Sequence, residues 1–278
     1  GLAIEKLNQL KTLEPSNTAI DKKLAEIYYL KNDFSKAADA YSRFAMGPTA
    51  NEEDLVKYAF ALFLNHDFAK SLEVANMGLK KNPRHAAFNR LAMYNNTDLK
   101  RFEEALKAAD VFFNECDKAD YSYLDYMYYG HLLEELKKYD EAVGQYEKAV
   151  ELDPTKTDLY KNISSAYEQK NDYKKAIGAY HKYYSSLEKE KQTPDLQFQL
   201  GRLYYGAGTQ PDSLTINAEE RKQALMSADS VFQVISEAAP DSYLGNFWRA
   251  RANSALDPET TQGLAKPFYE EVAALLES

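Results

Sequence analysis

The sequence predicts an all-α chain, a right-handed α-solenoid superhelix of antiparallel helix pairs. Three observations predict it. Apolar residues recur three and four positions apart, and no stretch alternates convincingly with period two. Gly and Pro number only 11 and 9 in 278 residues, and they cluster between these stretches. The amphipathic stretches, rich in Ala, Leu, Lys and Glu, repeat at a spacing of about 34 residues, the mark of a repeat architecture.

The elements follow in order. Residues 1–17 read as a half-unit. Ala3, Leu7, Leu10 and Pro15 carry the spacing of a second helix, and a first helix is expected to precede them. Full units follow at 18–51, 52–85, 86–122, 123–156 and 157–193. The first carries Leu24, Ala25 and Tyr28, then Phe34, Ala37, Tyr41 and Phe44. The second carries Tyr58, Ala59 and Leu62, then Phe68, Ser71, Ala75, Gly78 and Pro83. In the third, Ala92 to Ala105 is one residue longer than its counterpart and Asn95 holds the Tyr position, so a distorted turn is expected near Thr97 and Asp98. The fourth is the clearest copy, with Tyr126, Tyr129, Gly130 and Leu133, then Tyr139, Ala142, Tyr146, Ala149 and Pro154. The fifth carries Tyr160, Ile163, Ser164 and Tyr167, then Tyr173, Ala176, Tyr180 and Tyr183. Small residues let paired helices approach, and large ones fill the gap to the next pair. Asn and Asp suit the turns between them.

The last two units are less regular. Residues 194–242 begin with Leu200, Gly201 and Tyr204. Their second helix shows only at Ala228, Phe232, Ile235 and Pro240. Gly206 to about Glu219, rich in Gly, Pro, Ser, Thr and Asn, reads as an inserted loop. Residues 243–278 contain Phe247 to Ala252 and end on Val272, Leu275 and Leu276. No polar capping helix closes this end, so the natural chain is expected to continue or to self-associate there.

The pattern of a large residue, a small one, Tyr, Ala, an aromatic, Ala and Pro resembles the tetratricopeptide repeat family. The C-terminal units look like those of exported arrays from Bacteroidetes-type bacteria, which implies a periplasmic or envelope location, with cytoplasm as the alternative. The resemblance implies a non-catalytic scaffold that binds a partner peptide or protein along a concave groove lined by first helices. The groove positions carried over are Tyr29, Phe60, Phe63, Met93, Met127, His131, Phe198, Arg202 and Tyr205. The family's carboxylate clamp is absent, since Glu26 follows Lys22 and Ser165 follows Lys161. Two other roles fit the same pattern: a regulatory region of a larger signalling protein, or an assembly subunit of an envelope complex.

Composition narrows the partners. Lys and Arg total 34 against 43 Asp and Glu, a net charge of -9, which argues against nucleic acid. No run approaches the roughly 18 apolar residues that span a bilayer. The single Cys116 permits no internal disulfide, and with four scattered His it makes no zinc cluster. Neither a phosphate loop, a metalloprotease helix nor a nucleophile elbow occurs, and no cofactor or metal is expected.

Overall fold

The computed structural model describes residues 2–116, 119–211 and 216–277. Among them are fifteen α-helices and no strand. The chain divides into two compact units, Gly1–Leu136 and Lys137–Ser278. Unit 1 contains α1 (Leu2–Leu13), α2 (Thr18–Leu30), α3 (Phe34–Ser42), α4 (Glu52–Leu64), α5 (Phe68–Lys81), α6 (Ala86–Asp98), α7 (Phe102–Asn114) and α8 (Tyr123–Glu135). Here α2/α3, α4/α5 and α6/α7 form helical hairpins. The second helix of each packs on the next first helix, and the first helices α4, α6 and α8 touch in succession. Unit 2 contains α9 (Tyr139–Leu152), α10 (Leu159–Gln169), α11 (Tyr173–Ser186), α12 (Pro194–Thr209), α13 (Ala218–Ala238), α14 (Tyr243–Leu256) and α15 (Lys266–Glu277). Its hairpins are α10/α11, α12/α13 and α14/α15, and the first helices α12 and α14 touch directly.

One turn recurs. Asn32, His66, Lys100, Lys137 and Asn171 all adopt positive φ, near 60°. At Asn32 the backbone N–H donates to Tyr29 O, and the next N–H, of Asp33, donates to Tyr28 O. These two bonds occupy carbonyls that the end of α2 leaves unpaired. The same pair recurs at His66/Asp67, Lys100/Arg101 and Asn171/Asp172. Asp33, Asp67 and Asp172 then cap the second helix, each accepting from a backbone N–H three residues on. One residue thus ends the first helix and the next starts the second.

Two expectations fail. α6 continues unbroken through Thr97 and Asp98, and its turn at Lys100 is the ordinary one. The apparent extra residue came from placing Ala92 at the small position. That position, seven residues before the positive-φ turn, holds Ala25, Ala59, Gly130 and Ser164 elsewhere, and Met93 here. The loop expected at 206–219 is also shorter. α12 runs to Thr209 and α13 starts at Ala218. Of the connection between them, residues 212–215 lie outside the described residues. Gly206 and Gly208 both lie in α12, and a Cβ would overlap the Tyr173 ring at the first and the Leu225 side chain at the second. At α13 the side chain of Asn217 accepts from Glu220 N, and that of Glu220 accepts from Asn217 N, a capping box.

The core is the seam between first and second helices. Ala25, Ala37, Ala59, Ala75, Ala105, Ala142 and Ala176 are fully enclosed, as are the rings of Tyr41, Tyr58, Tyr94, Tyr146 and Tyr180. Burying each such ring contributes about 1.5–3 kcal/mol. Where Ser replaces Ala in the seam, its hydroxyl bridges the two helices of a pair. Ser71 donates to Ala59 O and Ser164 to Ala176 O, both at 2.8 Å.

Candidate partner-binding face

The positive-φ turn fixes which first-helix residues share a face. Counting back from it, Lys22, Val56, Arg90, Met127 and Lys161 are equivalent, as are Glu26, Phe60, Tyr94, His131 and Ser165. The third unit therefore contributes Arg90 and Tyr94 to this face, where sequence reasoning placed Met93. Met93 is fully buried and Phe63 nearly so, and neither is open to a partner. Phe63 packs against Phe68, Tyr94 and Tyr128, with centroid separations of 5.7, 5.4 and 6.1 Å. Tyr94 and Tyr128 stack at 4.1 Å. Of the other candidates in unit 1, Tyr29, Phe60 and Met127 are half-buried and His131 is exposed. Tyr29 lies edge-on to Phe34, and burial raises its hydroxyl pKa against the lowering effect of Lys57.

Beneath this face run charged links between repeats that sequence reasoning missed. Lys22 of α2 donates to Asp54 of α4 at 2.8 Å. The equivalent Arg90 of α6 reaches Asp125 of α8 with Nε at 2.7 Å and a second nitrogen at 3.1 Å. Asp125 is fully enclosed and also accepts from the Tyr94 hydroxyl and from the Ser122 N–H and hydroxyl. Burial disfavours the charged Arg90, but the hydrogen bond and charge of Asp125 outweigh it and raise its pKa. Burial first, then Asp125, pushes the Tyr94 hydroxyl well above its ordinary value. Asp21 is likewise buried, between Lys11 at 2.5 Å and Arg43 at 3.1 Å. Near the turn of α6, Tyr128 donates to Asp98 at 3.0 Å. Partial burial raises the Asp98 carboxyl, offset in part by that bond and by His131 and His66.

Unit 2 presents a different face. Phe198 and Tyr205 of α12 are half-buried, and Arg202 is exposed. The structure adds α14. Gly201 and Ala250, both buried small residues, are equivalent, which makes Phe247 the counterpart of Phe198 and Arg251 that of Arg202. Trp248 lies edge-on to Phe198 at 5.5 Å and to Tyr205 at 5.4 Å. The Arg251 guanidinium sits 4.5 Å from the Trp248 ring centre and 5.0 Å from that of Tyr205. Matching Gly201 to Ala250 in the sequence would have found this register, but the long turn after α14 obscured it. In that turn the buried Asp257 accepts from the N–H groups of Thr261, Gln262 and Gly263.

Among the described residues no group of three or more His, Cys, Asp or Glu could hold a metal ion. Cys116 is half-buried against the core, with Asn89 Nδ2 at 3.5 Å from its sulfur. No described helix is long and apolar enough to cross a membrane. Half-open aromatic rings on first helices include Tyr29, Phe60, Phe198, Tyr205 and Trp248, and others lie on second helices, among them Phe34, Phe68 and Tyr173.

Comparison with known proteins agrees with this architecture. A family model described as tetratricopeptide repeat matches residues 124–156. Nothing among curated proteins matches the chain. The C-terminal part of a TPR repeat-containing protein from Cytophaga hutchinsonii is 30% identical, with a TM-score of 0.58, covering 79% of this chain and 78% of that one. The MamA protein is similar at 21% identity and a TM-score of 0.52, over 62% of this chain and 93% of that one. A MamA fragment from Desulfovibrio magneticus RS-1 reaches a TM-score of 0.54 at 18% identity, over 63% and 97%. The two MamA structures share the fold alone.

Proposed function

Because the chain belongs to the tetratricopeptide repeat family, we propose that it is a non-catalytic scaffold whose first-helix faces bind a partner peptide or protein. The observation that carries this reading is the set of half-open apolar side chains on those helices. In unit 1 they are Tyr29, Phe60 and Met127, and in unit 2 Phe198, Tyr205 and Trp248. An aromatic ring held half-open by neighbours is already ordered, so a partner that covers it loses little side-chain freedom. Met adds a side chain that adapts to irregular shapes. Phe63 and Met93 belong to the framework that holds these anchors.

The test pairs open with closed positions. A partner is first recovered with the intact protein from its native organism by affinity capture and identified by mass spectrometry. Tyr29→Ala with Phe60→Ala should keep the helical circular dichroism signal and weaken capture by roughly tenfold or more, as truncating a hot spot does. Phe63→Ala should instead lower the unfolding midpoint. If the open-position variant folds and captures the partner as well as the parent does, the reading fails for unit 1.

A further inference from the structure

We propose that the first-helix face of unit 2 recognises an acidic segment of a partner protein, through Arg202 and Arg251 set among aromatic rings. This deepens the scaffold reading and rests on it. The two arginines are equivalent residues on α12 and α14, helices that touch directly. Each is followed by a fully buried residue, Leu203 and Ala252, and preceded by a buried one, Gly201 and Ala250. Both guanidinium groups therefore lie on the side of the hairpins that turns away from the core.

Among the described residues no carboxylate pairs with either arginine. Arg202 donates to Gln199 Oε1 across a long 3.4 Å. Arg251 lies over Trp248, Tyr205 and Phe247. Arg249, two residues away, shows the contrast. It is held by Asp229 at 3.0 and 3.4 Å and stacks on Phe268. A guanidinium stacked on rings is oriented while its N–H fork stays open, and that fork matches a carboxylate through two parallel hydrogen bonds. In a chain of net charge -9, two open forks on an aromatic surface favour a partner of the opposite sign at this place.

The spacing selects side chains over a chain terminus. Packed helices stand about 8–10 Å apart, so the two forks call for two carboxylates at about that separation. A polyproline II segment has three residues per turn and rises about 3.1 Å per residue, which places acids three residues apart on one face at about that separation. An apolar residue between them would meet Phe198, Tyr205 and Trp248.

The test uses the whole chain and a display library of random peptides capped at both ends. Selection should enrich peptides with two Asp or Glu three residues apart around an apolar residue. The most enriched peptide is then titrated while following Trp248, the only tryptophan in the chain, so that its emission reports this face directly. Arg251→Ala and Arg202→Ala should each weaken binding by roughly tenfold, the scale of a charge-assisted hydrogen bond. Replacing both acids of the peptide by their amides should abolish the response. Arg251→Lys, which keeps the charge but loses the fork, should recover only part of the affinity, with helicity unchanged in every variant. Enrichment of peptides without acids, or equal binding by the amide peptide, overturns the acidic specificity and leaves the scaffold reading standing. Tighter binding of a separate synthetic peptide whose one carboxylate is its free C-terminus overturns the choice of side-chain acids. Failure to enrich any peptide counts against both readings.

Discussion

First helices in unit 1 are linked by buried charge at positions where unit 2 carries Leu or Gly. In unit 1, Lys22–Asp54 and Arg90–Asp125 occupy the same two positions of successive units. In unit 2 the residues equivalent to Asp54 and Asp125 are Leu159, Leu196 and Gly245. Close approach through a missing side chain occurs in both units: in unit 1 a Cβ on Gly78 would meet the Phe88 ring at 2.2 Å. In unit 2 a Cβ on Gly201 would meet the Phe232 ring at 2.6 Å, and one on Gly245 would meet Ser236 N at 2.6 Å. The units thus differ in the charged link between first helices. That difference decides which arginines remain for a partner: Arg90 is consumed inside the array, whereas Arg202 and Arg251 are not.

The largest expected effect lies at Arg90. Asp125 is fully enclosed, and removing its cation leaves a buried charge without a counterion, which costs about 3–5 kcal/mol. Arg90→Ala should therefore lower the urea midpoint strongly. The combination Arg90→Met, Asp125→Leu and Tyr94→Phe should return most of the loss, because it removes the charge, its partner and the hydroxyl together. A small effect of Arg90→Ala, under about 1 kcal/mol, would show that the link behaves as an exposed pair and would erase the contrast between units.

Unit 2 is probed at its glycines. Gly206→Ala puts a methyl where the Tyr173 ring lies. Overpacking of this kind costs about 1–3 kcal/mol, offset by up to about 1 kcal/mol of helix propensity. Gly178→Ala in α11 meets nothing within 4 Å and should stabilise by about 0.5–1 kcal/mol. Opposite signs in thermal unfolding support close packing at Gly206. Arg251→Ala, which gives up only ring stacking, should cost about 0.5–1 kcal/mol, far below Arg90→Ala despite the identical chemical change.

Much of this was legible in the sequence. Helix pairing, the repeat length and the seam of Ala against Tyr follow from periodicity and residue size, and the structure places Ala25, Tyr41, Ala142 and Tyr146 in that seam. Two signals misled, both for local reasons. Gly206 and Gly208 look like loop formers, yet they are helical glycines required by neighbours distant in sequence. Met93 occupies a position that other units give to a small residue, which shifted the register of α6 by one and hid Arg90 and Tyr94. The charged links were invisible because each joins residues 32 or 35 apart. Nothing in the residues around Asp54 or Asp125 distinguishes a buried acid from a solvated one. Of the face candidates, Tyr29, Phe60, Met127, Phe198 and Tyr205 are half-buried. Arg251 and Trp248 needed the register of α14.

The smallest expected effect concerns what the two units have in common. Both turn from first to second helix through a residue at positive φ, and none of the five is Gly. For a residue with a Cβ this conformation costs about 1–2 kcal/mol, less for Asn. Gly removes that strain but gains freedom in the unfolded chain, an opposing effect of about 0.4–1 kcal/mol. Lys100→Gly in unit 1 and Lys137→Gly in unit 2 should therefore each stabilise by about 0.5–1 kcal/mol. Asn32→Gly and Asn171→Gly should change little, because Asn tolerates the conformation. Thermal melts of the four variants decide the matter. Equal gains from the two lysine sites would show that the turn is energetically the same wherever it occurs and that the units differ only in how their helices are joined. A gain at one lysine site alone would locate a further difference in the turn itself.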